Sequence, residues 1–148
     1  MRMLPERFAY SLKKVSVFYF ITGLKLTVCI VSGINFAIHK SKGAYIAILD
    51  EDDIWSDPGK LEKQVHMLQQ NAGLCLISSW ALGIDKEGIE ISRIKISNDI
   101  DFLRKTCLFS NPVIHSSVVY RKQTALDVGL YDDCKKKVFR LRGILIVI

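Results

Sequence analysis

Acid is what the end of this chain lacks. After Asp133 no aspartate or glutamate appears, and Cys134-Lys135-Lys136-Lys137-Val138-Phe139-Arg140-Leu141-Arg142-Gly143 is basic before an apolar close at Ile148. That stretch therefore offers no carboxylate for acid–base chemistry or for holding a cation. Paired cysteines are lacking too. Cys29, Cys75, Cys107 and Cys134 form no C-x-x-C and are widely and irregularly spaced. This excludes a zinc-finger arrangement and a disulfide framework, and fits reduced thiols in a cytosolic protein. No stretch interleaves basic and aromatic residues as a nucleic-acid platform would, so nucleic acid is set aside as a partner. Nor is there a clean membrane span. The apolar stretch from Val15 to Ile38 is cut by Lys25 into two pieces, each shorter than the ~20 residues a bilayer needs. Buried strands are the default expectation there, even though a basic start before an apolar run superficially imitates a signal peptide or anchor.

What is present is ordinary globular material. Of 148 residues, 49% are hydrophobic and 24% charged, enough for one modest domain with a real core. The net charge of +6 suits an anionic partner such as nucleotide phosphates or a membrane surface.

The informative stretch is Lys42 to Trp55. Tyr45 to Leu49 carries no charge and reads as a short central strand buried on both faces, with Gly43 as the turn before it. It stops in four consecutive acids, Asp50-Glu51-Asp52-Asp53. Four adjacent carboxylates repel one another, and a cation is the simplest reason to gather them. Oxygen donors of this kind suit Mg²⁺ or Mn²⁺, which takes one or two carboxylates and completes its shell from phosphates. The competing reading is a solvated loop leading to a helix, with Asp57 as N-cap and Pro58 in the first position.

Downstream, Pro58 to Asn71 predicts an amphipathic helix with Leu61, Val65 and Leu68 on its apolar face. Asn71-Ala72-Gly73 suits a left-handed cap after it. Leu74 to Ile84 reads as one strand, Asp85-Lys86-Glu87-Gly88 as a turn, and Ile89-Glu90-Ile91 as an exposed hairpin arm. Asn98 to Cys107 predicts a helix with Ile100, Leu103 and Cys107 inward and Asn98 or Asp99 near its start. Val118-Val119-Tyr120 is expected to be a strand, and Arg121 to Leu126 a helical turn. His39, and the pair Glu62 and His66, read as solvated helix-surface residues. Trp80 is placed either at the core or rim, or facing a donor or acceptor pocket.

Several of these segments carry a resemblance. Ser41-Lys42-Gly43-Ala44-Tyr45-Ile46-Ala47-Ile48-Leu49-Asp50-Glu51-Asp52-Asp53-Ile54-Trp55 resembles the central strand and Asp-x-Asp-Asp motif of glycosyltransferase family 2. The Pro-x-Lys-Leu-Glu-x-Gln pattern from Pro58, the stretch Asn111-Pro112-Val113-Ile114-His115-Ser116-Ser117-Val118-Val119-Tyr120-Arg121, and Val128-Gly129-Leu130-Tyr131-Asp132-Asp133 follow in the family's order. Ser32-Gly33-Ile34-Asn35-Phe36 resembles its Arg-Asn-x-Gly-Ile helix, with Asn35 shared. The likeness covers about Ser32 to Asp133.

The resemblance implies an α/β, GT-A-like fold: a mainly parallel sheet flanked by helices, incomplete at both ends. It implies one partial glycosyltransferase-like domain over residues 1–148, with a divergent apolar segment at 1–31 and a divergent tail at 134–148. The implied reaction transfers a sugar, with inversion, from a nucleotide-diphospho-sugar, a UDP-sugar being the expected donor. The implied acceptor is a hydroxyl of a glycan or lipid-linked molecule, as in polysaccharide or cell-envelope biosynthesis. By position, Asp52 is the metal ligand and Asp50 is a metal or donor contact. Asp53 is an accessory donor-side carboxylate, Glu51 the variable position and Asn35 a donor-side residue. His115 and Trp80 fall on the acceptor side, His115 as an acceptor or phosphate contact and not as the base.

The sequence departs from the family at both ends. The first-strand signature survives only as Lys14-Val15-Ser16-Val17, and the acid that would hold the nucleotide base has no counterpart. The Glu-Asp-x-x-Leu-Trp motif that supplies the general base is absent after Asp133. An inactive truncated copy or a nucleotide-binding module is therefore an alternative to an active enzyme. A metal-dependent nucleotidyltransferase is a second, and a phosphotransfer receiver or phosphatase fits the flanks less well. Further expectations are a cytoplasmic location, contact with the inner face of the membrane, and self-association through an unpaired sheet edge.

Overall fold

The computed structural model describes residues 15–20, 30–50, 52–107, 109–131 and 144–147. The expectations for Glu51, Asp132, Asp133, Cys29 and Cys134 lie outside them. In chain order the elements are β1 (Val15–Phe20), α1 (Ile30–Lys40), β2 (Tyr45–Asp50), α2 (Lys60–Gln70), β3 (Leu74–Ser78) and β4 (Ala81–Ile84). Then come β5 (Glu90–Ile94), α3 (Ile100–Thr106), a 3-10 turn (His115–Ser117), β6 (Val119–Arg121), α4 (Lys122–Asp127) and β7 (Ile144–Val147).

Five strands form one sheet in the order β1-β2-β6-β3-β7. β1 runs parallel to β2 and β7 parallel to β3, while β6 is antiparallel to both of its neighbours. Four strands thus share one direction and β6 opposes them. The mainly parallel expectation holds, with the antiparallel strand as its qualification. β6, rather than β2, sits in the middle; β2 is flanked on both sides, which explains why Tyr45 to Leu49 is buried throughout.

The period-2 alternation of β2 sorts the core into two layers. Ile46 and Ile48 face Ile34 and Ile38 of α1, Leu103 of α3 and Ala125 of α4. Tyr45 and Ala47 face the other way, onto Leu61, Val65 and Leu68 of α2. Pairing keeps the layers in register: Ile46 lies opposite Tyr120 and Ala47 opposite Val119. On β3 a register shift between Leu74 and Leu76 breaks the parity, so Leu74 packs with α2 and Leu76 on the opposite layer.

Several local expectations are corrected. α2 begins at Lys60, not Pro58, and its N-cap is Gly59 without a side-chain bond. Asp57 instead accepts the Gly59 N–H at 2.8 Å and pairs with Lys63, forming a turn before the helix. Asn71 ends α2 in extended backbone (φ −125°), so no left-handed cap is used there. The reason lies elsewhere in the chain: Arg121 reaches across from β6 and donates to the carbonyls of Leu68 and Asn71, satisfying the helix end without a special backbone. Leu74 to Ile84 is two strands, not one. The chain leaves the main sheet at Ser79-Trp80 and β4 pairs with β5 as a separate antiparallel hairpin. Ile30 to Lys40 is helical, as the resemblance of Ser32 to Phe36 implies, so the buried-strand default fails for the second half of the early apolar region. α3 keeps its expected start, with Asp99 accepting from the N–H groups of Asp101 and Phe102. Among the described residues no helix is long and apolar enough to cross a membrane.

Candidate active site at the strand ends

Because β2 and β3 run together and β6 opposes them, three segments meet at one end of the sheet: Asp50 closing β2, Ser78 closing β3, and the 3-10 turn opening β6. The carboxyl ends of parallel strands are where open α/β sheets take their ligands. The 3-10 turn is tied to every segment around it. Ser116 Oγ accepts the Asp50 N–H at 2.9 Å, and the Ser116 carbonyl accepts the Trp55 indole N–H at 2.7 Å. The Ser117 carbonyl accepts from Lys60 Nζ and from Gln64 Nε2, each at 3.0 Å. Ser117 Oγ bonds the Ser78 hydroxyl and accepts the Ser79 N–H. Both serines are buried, so these are paired polar groups rather than orphans.

Lys60 and Gln64 were not singled out in the sequence as site neighbours. Their signal was the Pro-x-Lys-Leu-Glu-x-Gln spacing, which puts both on one face of α2 four residues apart. Lys60 Nζ also bonds Gln64 Oε1 at 2.7 Å and lies 4.7 Å over the Trp55 ring. Burial pushes the Lys60 amine down to about 8, against the nearby Asp57 carboxylate, which favours its charge.

The acids begin at this platform. Asp53 N–H donates to the Asp50 carbonyl at 3.2 Å, so the acidic run turns tightly as it leaves β2. Asp50 is half-buried, while Asp52 and Asp53 are exposed. The Asp50 carboxylate faces His115, whose Nδ1 lies 3.2 Å from each oxygen. The other ring nitrogen of His115 lies 3.4 Å from the Tyr131 hydroxyl, with the rings edge-on. Tyr131 follows a helix end in which Gly129 and Leu130 both take positive φ (89° and 65°). Glycine accepts this readily; Leu130 is held there by packing on the core. Asn35 of α1 then fixes Tyr131 twice: its amide nitrogen donates to the Tyr131 carbonyl at 2.8 Å, and its oxygen accepts the Tyr131 N–H at 3.0 Å. Burial pushes the Tyr131 hydroxyl up to about 12, and that of neighbouring Tyr120 higher still.

The structure therefore brings Asp50, His115 and Asn35 together, the last through Tyr131. Trp80 stands apart from this chain but at the same sheet end, half-exposed just beyond β3. Its indole donates to the Ile96 carbonyl at 3.3 Å, and Lys95 lies over its ring. Among the described residues no group of three or more His, Cys, Asp and Glu side chains is placed to hold a metal ion. Asp52 and Asp53 are exposed and Asp50 is half-buried, which leaves one or two carboxylates open to a hard cation that completes its shell from phosphate and water.

The model for glycosyl transferase family 2 matches residues 29–126, from the start of α1 almost through α4. The chain belongs to glycosyltransferase family 2. Its α/β sheet is an incomplete GT-A-like fold. It is similar to an uncharacterised glycosyltransferase of Methanocaldococcus jannaschii, 41% identical over 61 residues, which is 41% of this chain and 21% of that protein. It is also similar to an uncharacterised glycosyltransferase of Haemophilus influenzae, 32% identical over 114 residues, covering 70% of this chain and 44% of that protein. An uncharacterised protein of Mycobacterium bovis is 32% identical over 88 residues, 59% of this chain and 25% of its own length. The chain thus spans less than half the length of these curated relatives.

Proposed function

We propose that this glycosyltransferase family 2 chain holds the donor half of a metal-assisted transfer site, moving a sugar with inversion from a nucleotide-diphospho-sugar to an acceptor hydroxyl. The observation that carries the reading is the position of the acidic run. It leaves the end of β2 in a tight turn, with Asp50 anchored by Ser116 and with Asp52 and Asp53 facing solvent. Asp52 and Asp50 would hold Mg²⁺ or Mn²⁺, and Asp53 would serve the donor side. A bound divalent cation supplies Lewis-acid stabilisation to the departing nucleoside diphosphate, where negative charge develops. The chain's own part is to present fixed carboxylates. Asp50 cannot swing away, because its backbone N–H and its carboxylate are both engaged. UDP-sugars are the expected donors, and a glycan or lipid-linked hydroxyl, approached from the His115 and Trp80 side, the expected acceptor.

No residue is assigned as the general base. The acid-free segment after Asp133 favours a second reading, a nucleotide-binding module without transfer. Calorimetric titration of UDP and GDP, with and without Mn²⁺, tests the shared half-site. Binding that requires Mn²⁺ and disappears in Asp52→Ala is expected. A folded protein that binds neither nucleotide under any condition refutes both readings, and donor turnover separates them.

A further inference from the structure

Four residues that lie far apart in sequence form one connected chain: Asn35 on α1, Tyr131 after α4, His115 on the 3-10 turn and Asp50 at the end of β2. Their chemistry dictates its polarity. An ionised carboxylate only accepts, so the imidazole nitrogen facing Asp50 must carry the hydrogen. In a neutral ring the other nitrogen is then bare and accepts, and the Tyr131 hydroxyl is the group beside it. Tyr131 is in turn registered by Asn35, which uses both ends of its amide on that one residue's N–H and C=O. His115 is thereby engaged from both sides within the fold. Its nearest polar contacts are Asp50 and Tyr131, at 3.2 Å and 3.4 Å, which leaves no ring nitrogen for an acceptor sugar in this arrangement.

We propose that Asn35, Tyr131 and His115 are positioning residues for Asp50, with His115 held as the Nδ1–H tautomer so that it donates to the carboxylate and fixes its orientation toward the donor. The proposal rests on the donor-site reading above for its functional consequence, but not for its geometry. Free imidazole does not impose this tautomer; the Tyr131 hydroxyl and the Asp50 carboxylate do. Carboxylates that serve ligands depend on such outer contacts, whose loss typically costs 10–100-fold in affinity or activity.

The test uses the full chain, ¹⁵N-labelled on its histidines. There are three, His39, His66 and His115, and a His115→Gln variant assigns the signals of the third. The nitrogen shifts of the neutral ring report the tautomer directly. His115 is expected as Nδ1–H in the wild-type chain. In Tyr131→Phe, which deletes one oxygen and keeps the ring, Asp50 still holds the hydrogen on Nδ1, and the bare Nε2 signal is expected to move to higher shift as it loses its donor. The affinity for UDP with Mn²⁺ is expected to fall about tenfold in the same variant. Asn35→Ala should reproduce both changes. A structural role alone would lower the melting temperature and leave the Nε2 signal where it was. Nε2–H in the wild-type protein overturns the proposal even if no variant folds, and so does an unchanged Nε2 signal in Tyr131→Phe. Absence of nucleotide binding by the wild-type chain would defeat the donor reading; the tautomer result would still decide the chain of contacts.

Discussion

Arg121 belongs to the segment whose resemblance pointed toward a substrate site, yet its side chain turns away from that site and binds the fold together. Its Nε donates to the Leu74 carbonyl at 2.8 Å. One terminal nitrogen, Nη2, donates both to the Leu68 carbonyl and, at 3.2 Å, to that of Asn71, and the guanidinium lies over the Tyr45 ring. Arg121→Ala removes all of these. A hydrogen bond from a charged donor contributes about 1.5–3 kcal/mol. Asn71 is exposed, so water replaces that bond at little cost, whereas Leu68 and Leu74 are buried residues. Two bonds, at the low end of the range because Arg121 itself is partly exposed, give a loss of about 3 kcal/mol. For a chain of this size that lowers the melting temperature by about 6–12 °C. Arg121→Lys should recover no more than a fraction, since a point ammonium cannot span three carbonyls as a fork does. Urea unfolding followed by far-UV circular dichroism measures the change. Nucleotide affinity per folded molecule should hold, because Arg121 lies at the opposite end of β6 from the 3-10 turn. A loss below about 0.5 kcal/mol, the level of an ordinary surface substitution, would refute the capping argument.

Two further predictions follow from the described contacts. Lys60 is held at about 8 in the fold and near its ordinary 10.5 when unfolded. Between those values the unfolded chain binds a proton that the folded chain has shed, so stability should rise with pH from about 8 to about 9.5. Urea midpoints across that window should climb in the wild-type protein and stay level in Lys60→Met; a flat wild-type profile would contradict the burial of this amine. The β4–β5 hairpin exposes Leu82, Ile84, Ile89, Ile91 and Ile94, with Ile91 at 69%. Light scattering should show concentration-dependent association that Ile91→Lys with Ile94→Lys reduces, whereas a wild-type protein monomeric at high concentration would contradict it.

Legibility in the sequence tracked how local each cause was. β2 was visible because five uncharged residues are buried on both faces, α2 because Leu61, Val65 and Leu68 recur at helical spacing, and the start of α3 because Asp99 caps it from one residue away. The end of α2 was misread because its carbonyls are satisfied from β6, some fifty residues on, not by the local Asn71-Ala72-Gly73. The site divided in the same way. The acids announced themselves as a run, and His115 through its motif, but their contact spans 65 positions and that of Asn35 with Tyr131 spans 96. Nothing in the spacing of a sequence reports that an asparagine will spend its amide on a distant peptide. The parity break on β3 and the pairing of Ile144–Val147 beside it were equally out of reach, since both arise from register between strands.

The reversed direction of β6 separates two kinds of variation. Its first residues follow the turn that gathers Asp50, Trp55, Lys60 and Ser78, while its last, Arg121, leads into Lys122, and these two basic side chains reach the ends of α2 and α1. One three-residue strand therefore borders the candidate site at one end and the helix-anchoring side of the sheet at the other. On the proposed donor-site reading, changes near Asn111 to Ile114 are expected to alter ligand binding, and changes around Ser41 to Ala44 or Asn71 to Gly73 to alter stability. Selection, or an engineer, can move along either axis while the other stays fixed.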